Sequence, residues 1–272
     1  MNSLAIMLGR VSPPMNNRLQ FHPTDWEAEF PRAKEMGFDH IEWFLDQDIP
    51  GFDPIAHIWL RPDVVTRIDD AREVLPISSV DAGMYPTFGE RRGNTIRQFE
   101  KLLPVLIPRL STGIINIPLL EHAAPKSPEQ KKESKEALEK ILMAATAVNG
   151  RIALETEMPY GELREFIDTF KNPSIGVCYD IGNCTSYGFD CAKDIRELGK
   201  RVFEVHLKDR KVGSTQSLLL GTGDADFDGC FTALAQNGYQ GVYTLQAWRG
   251  PDYLKDARYQ LDFARQKLAK YI

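Results

Sequence analysis

Four polar residues close short apolar runs in the second half of this 272-residue chain: Glu155, Asp180, His206 and Gln246. Asp180 lies 25 residues after Glu155 and 26 before His206. Two carboxylates, an imidazole and an amide oxygen make a donor set for one hard or borderline divalent cation. Mn²⁺ suits it, as do Mg²⁺, Co²⁺ and Zn²⁺. An ion held this way keeps positions open for the vicinal oxygens of a small substrate. Each residue alone also reads as an ordinary polar group at a strand end. The set of four is what points to chemistry.

Positioning them requires a scaffold that ends several strands side by side. Strands are expected over Leu4–Leu8, Asp39–Phe44, Pro76–Val80, Gly113–Ile117, Ile152–Leu154, Ile175–Tyr179, Val202–Leu207 and Val242–Leu245. Helical patterns separate them. One runs to Met36 from a Thr24 N-cap, with Glu27 completing a capping box and Gly37 ending the helix. Others cover 62–74, 94–110 (with Pro104 and Pro108 as kink points), 127–148, 159–170, 190–198, 227–236 and 252–271. Residues 45–60 and 83–93 read as long loops. Strict alternation of eight strands with helices predicts a single-domain (β/α)8 barrel over residues 1–272. An open doubly wound sheet is the alternative, but no GxGxxG follows the first strand.

Side chains alternate along a strand, so parity tests the arrangement. Gly176, Cys178 and Asp180 share one face, as do Ala153 and Glu155. Val202, Glu204, His206 and Lys208 share another, as do Val242, Thr244 and Gln246. The opposite faces, such as Phe203, Val205 and Leu207, are apolar and suit packing against outer helices. The polar parity then points into the barrel and places all four donors at the end that is functional in α/β barrels.

Composition narrows the class. The chain is 43% hydrophobic and 26% charged, with a net charge of −5 and a pI near 5.6. It carries no basic block for nucleic acid and no apolar run of membrane-spanning length. Met1 to Gly9 lacks the length and basic character of a signal peptide. Cys178, Cys184, Cys191 and Cys230 have no metal-type spacing and read as reduced, buried thiols of a cytoplasmic protein.

Several stretches together resemble the xylose isomerase-like TIM-barrel superfamily. They are "IALETE" around Glu155, "YDIGN" at 179–183, "VHLKD" at 205–209, "GTGDADFDG" at 221–229 and "GYQGVYTLQAWRG" at 238–250, with "GRVSPP" and "GFDHIEW" near the start. Within that superfamily they are similar to the sugar (phosphate) isomerase/epimerase branch, which includes L-ribulose-5-phosphate 3-epimerases and ketohexose 3-epimerases. The resemblance implies a metal on Glu155, Asp180 and His206 with a fourth ligand from the eighth strand, here Gln246. It also implies proton transfer next to a carbonyl through a metal-stabilised enediolate, and a small sugar or sugar phosphate as partner. In the epimerases two glutamates face each other across the substrate. Glu155 is one; the other position holds Gln246, which cannot act as a base. Glu157 is then expected to serve, with Glu42, Asp81 and Glu121 as other acids. Otherwise the reaction needs one base, as in an isomerisation, dehydration or retro-aldol cleavage, or the barrel only binds sugar. The endonuclease branch of the superfamily needs more histidines than the five present.

Substrate contacts are expected from Glu42, Lys208, Arg10, Arg249, Trp248 and Asn183. Glu42 would meet hydroxyls, Lys208 and the two arginines a phosphate or carboxylate, and Trp248 (or Trp43) a sugar face. Asn183 stands where the epimerases often carry His, a variation shared with phosphate-handling relatives. His122 and Glu121 would line the mouth. His22 and His57 receive no role. A homo-oligomer is compatible with the chain.

Overall fold

The structure is a computed structural model that describes residues 3–15, 21–45, 62–83 and 85–271; His57 lies outside them. Eight parallel strands close into a barrel in sequence order. They are β1 (Ser3–Met7), β2 (His40–Phe44), β3 (Ile77–Asp81), β4 (Ile114–Leu119), β5 (Arg151–Thr156), β6 (Ile175–Asp180), β7 (Val202–Leu207) and β8 (Val242–Leu245). The helices are α1 (Glu29–Met36), α2 (Pro62–Val74), α3 (Arg92–Leu110), α4 (Pro128–Thr146), α5 (Tyr160–Asp168), α6 (Ile181–Ser186), α7 (Cys191–Leu198), α8 (Phe227–Gln236) and α9 (Tyr253–Leu268). The outward strand faces, including Ile41, Trp43, Val80, Ile115, Leu154, Val177, Val205 and Leu245, form one continuous apolar layer with the helices. No helix among the described residues is long and apolar enough to cross a membrane.

Local chemistry explains most boundaries. Ser127 caps α4 in a capping box with Gln130, satisfying amide donors that a helix start leaves free. Gly37 ends α1 in a left-handed conformation, φ 101°. α3 runs unbroken past Pro104 and Pro108. Its buried Leu102, Leu103, Leu106, Ile107 and Leu110 anchor it on both sides of the two missing N–H groups, so packing outweighs the proline penalty.

Three expectations need correction. Thr24 and Glu27 form no capping box; a 3-10 turn at Trp26–Ala28 precedes α1, with no side-chain cap at Asp25. Tertiary contacts win there: Trp26 packs edge-on against Trp43 at 5.0 Å, and Glu29 turns inward to accept the Gly9 N–H at 2.6 Å. The residues after Asp180, which lie outside the helical patterns expected above, form helix α6, capped by Asp180 itself. Parity also fails at the start of β7. A register shift pairs Val177 with Val202 but Cys178 with Glu204, a bulge that turns Val202 outward and Phe203 inward. Phe203 joins Ala153 and Cys178 as the floor of the barrel, with the Arg151 guanidinium over its ring at 4.5 Å. Gly176 makes the room: a Cβ there would lie 2.7 Å from the Phe203 ring.

Candidate metal and sugar site at the barrel mouth

Above the apolar floor the interior is polar, unlike the branched aliphatic layers that usually fill such barrels. Ser79 on β3 donates its hydroxyl to Glu204 at 2.5 Å, and Thr244 on β8 donates to the same oxygen at 3.0 Å. Above this layer lie Glu42, Asp81, Asn116, Glu155, Asp180, His206 and Gln246, each at most 2% exposed.

Glu155 is held from two sides. The Asn183 side-chain amide donates to Oε1 at 2.6 Å, and Asn116 donates to Oε2 at 3.4 Å. His206 Nδ1 lies 3.7 Å from Oε2, while its Nε2 lies 3.2 Å from Glu42 Oε1. Asp180 faces the Lys208 ammonium at 2.7 Å and accepts the Asn183 N–H at 2.7 Å. Lys208 is 3.4 Å from Asn183 Oδ1. Gly182 is required for that approach, because a Cβ would meet the Lys208 backbone carbon and side-chain stem at 2.8 Å. Gln246 donates to Asp81 at 3.4 Å, and Asp81 also accepts from Asn116 at 3.4 Å and from the Gly83 N–H at 2.8 Å.

The mouth therefore crowds acids. Burial, then the neighbouring Asp180 charge, pushes the Glu155 carboxyl up to about 8. Burial, then Glu42, pushes Glu204 up to about 8. Burial, then Asp81, raises Glu42 well above the usual range; Asp81 is raised by burial against the pull of His206. Asp180 behaves differently. Burial would raise it, but the Lys208 ammonium and His206 hold it below its ordinary value.

These residues fit a cation. His206 Nδ1, Gln246 Oε1 and Asn116 Oδ1 are buried and have no hydrogen-bond partner among the described residues. Unmatched acceptors amid raised carboxyls call for positive charge. Donor atoms converge within 4.8 Å of one another in two groups, Glu155 with Cys178 and His206, and Glu42 with Glu204 and His206. Asp180 is in neither, since its carboxylate is turned to Lys208.

The remaining expected residues are placed differently. Glu157 sits on the rim, accepting the Tyr187 hydroxyl at 2.8 Å and pairing with Lys126 at 3.7 Å. Arg249 donates to the backbone carbonyls of Gly9 and Ser12 and lies 4.5 Å over the Phe21 ring, so its guanidinium braces the loop after β1. Arg10 is buried and donates to the Gln246 carbonyl at 3.4 Å. Trp248 is half-buried and its backbone is held by Gln260 at 2.9 Å. Trp43 is fully buried, 5.2 Å from the His22 ring. Glu121 and His122 are exposed. Glu42 is fully buried and faces protein groups. Asn116 went unnoticed in the sequence, although a lone amide inside the apolar run Ile114–Ile117 is itself a signal. Glu29, also unnoticed, sits in an amphipathic helix where an acid draws no attention.

Fold and mouth together define an α/β barrel whose mouth gathers buried acids, His206 and Gln246. Residues 30–267 match the family model for the xylose isomerase-like TIM barrel, and the chain belongs to that family. The L-ribulose-5-phosphate 3-epimerase UlaE of Escherichia coli O1:K1 is 22% identical, with 90% of each chain covered. A solved IOLI protein with a bound zinc atom superposes with a TM-score of 0.78 at 17% identity, covering 99% of both chains. D-allulose 3-epimerase from Methylomonas sp. gives 0.76 at 20% identity, covering 98% of both. The expected family, fold and isomerase/epimerase kinship agree with these matches.

Proposed function

We propose that this chain is a divalent-metal-dependent isomerase or epimerase of a sugar or sugar phosphate. The observation that carries the reading is the Asn116 amide, whose one nitrogen spans Asp81 and Glu155 beside the unmatched acceptors of His206 and Gln246. Glu155, Asp180, His206 and Gln246 would hold the cation. That oxygen-rich set suits Mn²⁺ or Mg²⁺, while a contribution from the Cys178 sulfur would turn the preference to Zn²⁺ or Co²⁺. When bound, such an ion polarises a carbonyl and offsets negative charge developing on oxygen.

The protein's own groups move the proton. Glu155, oriented by Asn183 and Asn116, takes a proton from the carbon next to the carbonyl. Asp81 supplies the second carboxyl that Gln246 lacks, because it is the acid that touches Gln246. This reading moves the role expected of Glu157 to Asp81, at the end of β3. Lys208 would release Asp180 to the cation and turn to substrate oxygens or phosphate. The named activities of the relatives, on L-ribulose-5-phosphate and on D-allulose, support a ketose with or without phosphate.

The test is exchange in D₂O with pentuloses and hexuloses, free and phosphorylated, plus Mn²⁺ or Zn²⁺. Wild type should place deuterium on the carbon beside the carbonyl. E155Q and D81N should each lose about 10²–10⁴-fold in rate. Full activity in D81N with loss in E157Q would return the second role to Glu157. Release of a smaller or dehydrated product would make the protein a lyase.

A further inference from the structure

The hydrogen bond between His206 and Glu42 crosses the barrel interior from β7 to β2. Both side chains are fully buried. Glu42 Oε1 also lies 3.3 Å from the Ser79 hydroxyl in the layer below. The other imidazole nitrogen, Nδ1, has no hydrogen-bond partner among the described residues. It faces Glu155 Oε2 at 3.7 Å, too long for a hydrogen bond. A neutral imidazole carries one proton, and Glu42 Oε1, the oxygen facing Nε2, accepts whether the carboxyl is ionised or holds its proton on Oε2. With Glu42 on Nε2, the proton belongs on Nε2. Nδ1 then presents a lone pair towards Glu155 Oε2, an arrangement made favourable by a cation between them or, in its absence, by the proton that Glu155 retains.

We propose that Glu42 is a positioning residue: by accepting the Nε2–H of His206 it fixes the ring tautomer and aims Nδ1 at the cation site. Partners of this kind orient a ligating histidine and raise its basicity, and losing one typically weakens metal binding 10–100-fold. The inference rests on the metal-dependent reading of the mouth. It gives Glu42 a role through His206 in place of the substrate contact expected from the sequence.

The test needs no substrate. Long-range ¹H–¹⁵N NMR of metal-free protein near pH 8 should show His206 as the Nε2–H tautomer. E42A should shift it towards Nδ1–H and weaken Zn²⁺ and Mn²⁺ binding about 10–100-fold in chelator competition. E42Q keeps the shape of the side chain and serves if E42A fails to fold. Its amide can donate as well as accept, so a mixed tautomer and an intermediate affinity are expected. A wild-type ring protonated on Nδ1, or E42A and E42Q proteins with wild-type tautomer and affinity, would overturn the proposal. Wild-type protein that binds neither ion would overturn the functional reading instead, and the tautomer alone would then decide the role of Glu42.

Discussion

Replacing Lys208 by methionine separates two roles of one charge. Its ammonium sits 2.7 Å from Asp180 Oδ2, with the two side chains 6% and 1% exposed. Methionine keeps most of the stem that packs over Gly182 and removes the charge. Breaking a buried pair from one side costs about 3–5 kcal/mol, because the remaining charge is left uncompensated. Asp180 keeps the Asn183 N–H at 2.7 Å, so the lower end, about 3 kcal/mol, is expected. That loss belongs to the metal-free protein. A divalent cation restores positive charge beside Asp180 and no longer competes with an ammonium. At a free ion concentration of about 100 times Kd, binding returns about 2.7 kcal/mol. K208M should also bind the ion at least about tenfold more tightly than wild type, a gain of about 1.4 kcal/mol. Urea unfolding in chelator and in excess Zn²⁺ or Mn²⁺, with calorimetric affinities, measures both effects. Wild-type stability of K208M in chelator would refute the burial argument. An ion that stabilises K208M no more than wild type would refute the competition between Lys208 and the cation.

Other expectations follow from the same geometry. Burial pushes the Glu29 carboxyl up to about 7 from 4.5, against the Ser12 hydrogen bond and the Gly9 N–H. An acid raised on folding holds its proton longer in the folded chain. Its contribution to stability therefore falls as pH rises from the unfolded to the folded value, by about 3 kcal/mol here, and then levels off. E29Q should remove that slope, so the difference from wild type in urea unfolding should change between pH 5 and pH 8; a constant difference would sink the assignment. G182A should cost about 1–3 kcal/mol, read by the same unfolding assay, because its new methyl meets Lys208 backbone as well as side chain; wild-type stability would contradict the close approach. If the Cys178 sulfur joins Glu155 and His206, Co²⁺-loaded wild type should show sulfur-to-cobalt charge-transfer absorption that C178S lacks. Identical spectra would take sulfur out of the ligand set.

Much of the scaffold was legible because its signals are local. Apolar runs with turn residues between them located all eight strands, and β7, β8 and α8 have the expected bounds. Parity placed Glu155, Asp180, His206 and Gln246 at one end, since a strand alternates faces whatever lies across from it. Asp180 illustrates the limit. Its strand was legible, but its role as the cap of α6 was not. Gly182 and Asn183 resemble turn residues, and only the approach of Lys208 shows why a helix begins there with glycine in its first turn.

What stayed hidden depends on partners far apart in sequence. Glu42 lies 164 positions from His206, and Asp81 lies 165 from Gln246. Nothing near Glu42 distinguishes a carboxyl that meets substrate from one that orients a histidine. The difference is made by barrel closure, which brings β2 and β7 to face each other. The bulge in β7 has the same origin. Val202 and Phe203 are both apolar, so no pattern marks which of them turns inward; the space beside Gly176 decides it. Phe203 fills the floor beneath the polar groups. Protons, water, a cation or substrate can satisfy their unmatched acceptors. The crowding of acids is thus a consequence of closing the barrel over a polar interior.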